Sequence, residues 1–271
     1  EISACLVGSE MCIRDSYEIS QELDFKLSYS SFARIDLLWA YKGSLDKLVK
    51  AGFKGFLFGI ETLNEPTAKS ISKGFSGDRL KNYLKEIKKQ YPDLHITAAF
   101  IVGLPHESIE TFNSNIEWAT KEQVFNSLIF NPLGITIDNK ITAMSPFTYE
   151  WQNHGYVKMT EEEVNNRINN LTNKNIMVRF QTITYDDNFR NNYLPWKNEH
   201  MDFLDAVQYA KDRSMERMFN EPHVIFTTFA RSFNKDNIDD ELNVIKSDID
   251  EVKQDRDTTD FVNAYKLKKL T

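Results

Sequence analysis

Four short β-rich runs separated by segments of helical spacing restrict the fold of this chain more than any other feature. Lys26–Ala33 is the first run, and after it Ser44 can cap a short helix bearing Leu45, Leu48 and Val49, which stops at Ala51-Gly52. Phe53–Ile60 is the second, rich in aromatics and poor in charge. Thr62 and Glu65 stand at capping-box spacing with Pro66 in the first turn of the helix that follows. Asp78 opens a longer helix whose Leu80, Tyr83, Leu84 and Ile87 share one face. His95–Val102 is the third run, and a helix from about Ser108 turns Ile109, Phe112, Ile116 and Ala119 inward. Ser127–Asn131 begins the fourth. Strand–helix–strand units of this kind give parallel strands covered by helices, in a doubly wound sheet or a sector of a barrel. The aromatics Phe53, Phe56 and Phe58 are expected in the core, not as a surface for stacking bases.

Residues 151–271 carry 16 asparagines, a residue depleted in strands, and show mostly helical patterns. Thr160–Glu163 offers a capping box, and Leu242, Ile245, Ile249 and Val252 make a helical stripe. The expectation is an α/β chain in which 17–138 form the βα unit and 139–271 a mainly helical appendage. Lysine and arginine number 33 against 40 acidic residues, for a net charge of −7, so the basic footprint of a nucleic-acid binder is missing. No apolar run reaches the roughly 18 residues of a membrane span. A cytoplasmic protein with neither nucleic acid nor membrane as partner is expected.

The two cysteines, Cys5 and Cys12, both fall within residues 1–16. That stretch has neither helical nor alternating apolar spacing, and it resembles a translated sequencing-adapter read-through. It is set aside as an artefact or disordered end, with the genuine protein starting near Tyr17. The remaining sequence has no cysteine, which excludes disulfides and thiolate-bound metal within it. His95, His154, His200 and His223 have no partner at metal-ligand spacing, so no metal ligand is assigned.

In parallel βα architectures ligands sit at the carboxyl ends of the strands. The first strand delivers Arg34 and Asp36 there, and the second ends in Gly59-Ile-Glu61-Thr62. The third ends in Gly103-Leu-Pro-His-Glu107, and the fourth reaches Asn131-Pro132, with Thr136 beyond. A cation, carboxylates and a backbone-exposing glycine on one rim suit a ligand with amine, carboxylate and hydroxyl groups.

The order of motifs is more specific. Ser31-Phe-Ala-Arg-Ile-Asp36, Phe58-Gly-Ile-Glu-Thr62, Ile71-Ser-Lys-Gly74 and Phe100-Ile-Val-Gly-Leu-Pro105 follow one another, and Met144–Trp151 leads to Gly155-Tyr156. In this register the segment from about Tyr17 to Tyr156 resembles the C-terminal two-thirds of a radical S-adenosylmethionine barrel. It is similar to the branch holding cobalamin-dependent enzymes, tRNA methylthiotransferases and coproporphyrinogen dehydrogenases. The resemblance implies a partial (β/α)6 barrel, of which these would be strands three to six. It also implies a [4Fe–4S] cluster on a Cys-x3-Cys-x2-Cys loop, which chelates S-adenosylmethionine and cleaves it to a 5′-deoxyadenosyl radical. Cobalamin is a possible second cofactor, and flavodoxin or ferredoxin would donate the electron.

By the same resemblance, five residues bind the cofactor. Arg34 would sit beside the methionyl part or the substrate, Glu61 near the amine or ribose, and Lys73 at the carboxylate, while Ile101 and Gly103 would line the adenine pocket. No residue is assigned to catalysis. The pattern departs from the family where Ala99 replaces a glycine of the adenine motif and His106 stands at its acidic position. Glu107 falls one residue late and takes no role. Without the cysteine loop, the chain is expected to be an inactive fragment of the enzyme. Two rivals stay open: a different βα-barrel lyase or hydrolase using Glu61 as acid/base, or a barrel that only binds. Substrate and reaction are undetermined, with methyl transfer, methylthiolation and dehydrogenation all compatible.

Overall fold

The computed structural model describes residues 10–25, 29–41, 43–135, 150–169, 175–178, 181–184 and 193–220. The chain divides into two compact units, residues 1–210 and 211–271. Of the second, only the helical residues 211–220 are described.

The first unit is built on strands β1 (Tyr29–Ala33), β2 (Phe53–Glu61), β3 (His95–Val102) and β4 (Ser127–Pro132). They pair side by side in chain order, and every pair is parallel. Between them run helices α2 (Ile35–Ala40), α3 (Ser44–Lys50), α4 (Glu65–Ser70), α5 (Gly77–Gln90) and α6 (Ile109–Lys121), with α1 (Glu10–Glu22) ahead of β1. A doubly wound sheet reverses its strand order at a switch point, whereas a barrel adds each strand beside the last. The sheet here does the second, and the fold is a mixed α/β partial (β/α) barrel.

The register sorts the two faces. Phe58 pairs with Ala98 and Ala98 with Leu128, so alternate residues Phe56, Phe58, Ile60, Ile96, Phe100 and Phe130 share one face. That face is the core. Phe58 and Ile96 have no exposed surface, and Phe53, Phe56 and Phe58 stack with centroids 4.6 and 5.3 Å apart. Helix α5 buries Leu80, Leu84 and Ile87, and α6 buries Phe112, Ile116 and Ala119, the stripes their spacing predicts. Ser108 caps α6 by accepting from the Thr111 amide at 3.2 Å. The opposite, inner face carries Leu57, Gly59, Ala99, Ile101, Ile129 and Asn131, and Phe32 stands 59% exposed on it.

Several expectations differ from the structure. Residues 10–16, set aside above, form one helix with 17–22; Ile13 is buried in the core, and α1 packs on α3. The Thr62–Glu65 capping box does not form. Asn64 is the cap residue of α4, Glu65 pairs with Lys69 four positions on at 2.7 Å, and Thr62 is engaged elsewhere. Past residue 150 the described chain holds helices α7 (Glu161–Asn169) and α8 (Phe203–Asn220). It also holds two short antiparallel ladders, β5 (Val157–Lys158) with β8 (Trp196–Lys197) and β6 (Asn175–Val178) with β7 (Gln181–Thr184). The Thr160–Glu163 box at the start of α7 is reciprocal, with amide-to-side-chain bonds of 3.2 and 2.9 Å. Thr136, Met144 and the Leu242–Val252 stripe lie outside the described residues. Among the described residues no helix is long and apolar enough to cross a membrane.

Candidate functional site

Parallel strands in register bring their carboxyl ends to one edge of the sheet, and Arg34, Glu61, Gly103 and Leu133 all follow or end strands there. Their surroundings differ.

Glu61 ends β2 with φ +66, and the β2–β3 register slips between Gly59 and Glu61. A non-glycine residue in the left-handed region next to a slip in the ladder re-aims its side chain. Here the carboxylate folds back across Gly59 on the inner face, so a Cβ at Gly59 would lie 2.6 Å from Glu61 Oε1. Lys73 reaches the same spot from beyond the end of α4, where Ser72 at φ +62 turns the chain and the Lys73 amide bonds Ala68 O at 2.8 Å. Its ammonium donates to the Gly59 carbonyl and lies 3.4 Å from Glu61 Oε1. The side chains are 36% and 24% exposed, so the pair is loosely held and reachable. Ile101 is half-buried on the same inner face, two residues beyond the partner of Gly59 on β3.

Arg34 is occupied. It holds Asp36 in a two-pronged contact, Nε to Oδ1 at 3.2 Å and Nη2 to Oδ2 at 2.6 Å, and is 65% exposed. The hydrogen bond and charge of Asp36 raise the guanidinium pKa. Burial would raise Asp36, but the bond and charge of Arg34 outweigh it and lower its pKa.

Gly103 has φ +96, and its open side faces the ring of Trp196: a Cβ there would lie 2.9 Å from Cζ2 and closer still to Cη2. Trp196 has no exposed surface, donates Nε1–H to Leu133 O at 2.9 Å, and meets Tyr156 and Phe203 edge-on. The Tyr156 hydroxyl donates to Gly103 O. The close approach that calls for glycine is thus made by an indole of the same chain. Tyr156 belongs to the motif order read from the sequence, but its contact with β3 does not follow from that order, and spacing does not single out Trp196 at all, because what joins both to β3 is packing between distant segments.

Glu107, to which the motif spacing gives no role, lies in the same region. It is 3% exposed, and its Oε1 accepts from the hydroxyl of Thr62, itself 1% exposed, at 2.9 Å. Among the described residues its Oε2 has no hydrogen-bond partner. Burial raises its pKa to about 7, against the Thr62 bond and the nearby Asn115 side chain, which lower it.

Among the described residues no group of three or more His, Cys, Asp or Glu side chains is placed to hold a metal ion. No protein-family model matches the chain, and no curated protein matches it. Among solved structures it is similar to the archaeal Elp3 of Methanocaldococcus infernus with an N-terminal deletion (1–46), at 13% identity and a TM-score of 0.39, over 54% of this chain and 32% of that one. It is also similar to the radical S-adenosylmethionine methyltransferase TsrM of Kitasatospora setae, solved with tryptophan substrate and an S-adenosylmethionine analogue. There the identity is 13% and the TM-score 0.43, over 55% of this chain and 29% of that one. A second TsrM structure, with cobalamin and a [4Fe–4S] cluster, matches at 14% and 0.41 over 56% and 29%. The chain thus spans about a third of the length of each. The assignment to a partial (β/α) barrel rests on the strand order and register described above.

Proposed function

We propose that this chain is the βα sector of a radical S-adenosylmethionine enzyme and that the Lys73–Glu61 pair grips the aminocarboxylate end of that ligand. The pair itself carries the reading. A zwitterionic amino acid group presents one cation and one anion; Glu61 and Lys73 present the complements, side by side at a strand end, half-open to solvent. On binding, the ligand amine would take Glu61 and its carboxylate Lys73. One loose 3.4 Å contact would give way to two charge-assisted hydrogen bonds. Ile101 supplies apolar surface on the same face.

The donor set for a [4Fe–4S] cluster does not fit: such clusters are held by clustered thiolates, and the sequence has two cysteines seven positions apart. No chemical step is derived through the cluster, and the role given to this chain is recognition of the nucleotide ligand. Cobalamin, an electron donor such as flavodoxin or ferredoxin, and a cytoplasmic location belong to this reading as properties of the whole enzyme, as does a modification reaction on an undetermined substrate.

Calorimetric titration tests it. S-adenosylmethionine should bind measurably, and 5′-methylthioadenosine, which lacks the aminocarboxylate, at least tenfold more weakly. Lys73→Met should lose about tenfold to a hundredfold in affinity, the worth of one hydrogen bond to a charged group. Equal binding of the two ligands, or an unaffected Lys73→Met chain, overturns the reading.

A further inference from the structure

The rims of β2 and β3 are tied by three bonds outside the strand ladder. Thr62 Oγ1 donates to Glu107 Oε1 at 2.9 Å, Asn64 Nδ2 to His106 O at 3.3 Å, and Thr67 Oγ1 to Pro105 O at 2.8 Å. Thr62 is the hub, since its hydroxyl also accepts from the Asn64 amide at 2.9 Å. The residue just before it is Glu61, held at φ +66. A side-chain-bearing residue keeps such a conformation only when its flanks determine it. On one flank is the β2 ladder; on the other is Thr62, buried and bonded to a carboxylate that is itself buried.

We propose that the buried Thr62–Glu107 bond is a latch that positions Glu61, holding its carboxylate over Gly59 and beside Lys73. Glu107 is thereby a positioning residue, removed from the ligand and acting through Thr62 and the backbone of Glu61. The proposal rests on the ligand-binding reading above only for what Glu61 then contacts. The placement of Glu61 by the latch stands independently of it. Glu107 is faced by Thr62 from the β2 rim and Asn115 from α6, and its charge is felt by the Tyr156 hydroxyl, whose pKa is raised first by burial and further by Glu107. A hydrogen bond from Thr62 favours the ionised carboxyl, so its removal leaves burial less opposed.

The test compares the full chain with Thr62→Val, which removes the hydroxyl, and Thr62→Ser, which keeps it. Three quantities are read: amide-exchange protection across residues 60–66, the titration of the Glu107 carboxyl by carbon-13 NMR, and affinity for S-adenosylmethionine. In Thr62→Val protection should fall about tenfold, the Glu107 titration should move up, and affinity should drop about tenfold. Thr62→Ser should restore all three. Wild-type behaviour in Thr62→Val overturns the latch, as does a Thr62→Ser chain as impaired as Thr62→Val. If Thr62→Val does not fold, Glu107→Met, which removes the acceptor at similar length, decides: unchanged amide-exchange protection across residues 60–66 in that variant overturns the latch. If the wild-type chain binds no S-adenosylmethionine, the ligand reading falls, and exchange and titration decide the latch alone.

Discussion

Replacing Gly103 by alanine tests whether this glycine serves packing or a ligand. Two separate costs follow from the geometry. The first is conformational: φ is +96, where a Cβ is disfavoured by about 1–2 kcal/mol. The second is steric, because the new Cβ would stand 2.9 Å from Trp196 Cζ2 and 3.4 Å from Ala206 Cβ. The indole cannot swing aside freely. Its Nε1–H is bonded to Leu133 O, Tyr156 and Phe203 flank its ring, and none of its surface is exposed. Overpacking a rigid core adds about 1–3 kcal/mol. The sum is about 2–5 kcal/mol, a large share of the stability of a domain. Urea denaturation followed by tryptophan fluorescence should show a lower midpoint at unchanged slope. Trimming the ring in a Gly103→Ala/Trp196→Leu double variant should relieve the steric part, so the two losses should fall short of additive by about 1–3 kcal/mol. A Gly103→Ala chain within about 0.5 kcal/mol of wild type, or strict additivity with Trp196→Leu, refutes the packing argument.

Gly59→Ala probes the proposed ligand pair instead. Gly59 needs no positive φ, and the atom its Cβ would meet is the free end of Glu61, at 2.6 Å. The carboxylate should be displaced at a cost under about 1 kcal/mol in stability, while affinity for S-adenosylmethionine drops about tenfold by calorimetry. A large loss of stability with binding intact would contradict the placement of Glu61. Glu107 governs a pH dependence. Burial lifts it from 4.5 to about 7, so the folded chain keeps a proton that the unfolded chain releases between those values. Stability should therefore fall as pH rises from about 4.5 to about 7, by up to about 3 kcal/mol. Glu107→Gln should remove that component from the pH profile of urea denaturation, and an identical profile in the variant would show that Glu107 titrates normally.

What was legible beforehand was whatever repeats locally. Leu80, Leu84 and Ile87 recur at helical spacing and bury one stripe of α5; Ser108 sits one residue before α6; Thr160 and Glu163 close a box upon each other. Each needs only neighbours three or four positions away, so spacing suffices. The rim of the sheet was legible for a related reason: a parallel strand's end is fixed once the strand is. Thr62 shows where this stops. Its hydroxyl at capping-box spacing promised a bond to its own helix, and it was taken by a carboxylate 45 positions along the chain. Nothing local distinguishes a threonine that will cap from one that will be claimed by a buried acid. Gly103 carries the same lesson with opposite sign, because glycine at a strand end announces a close approach without naming the visitor. Here the visitor is Trp196, delivered from a segment whose own strand, β8, is two residues long. The chemistry of this rim is therefore set by two kinds of information. Strand order brings Glu61 to the rim, and Lys73 reaches it there from beyond the end of α4. Long-range side-chain pairs decide how firmly each loop is held there, and only these pairs turn a rim common to all such barrels into a particular site.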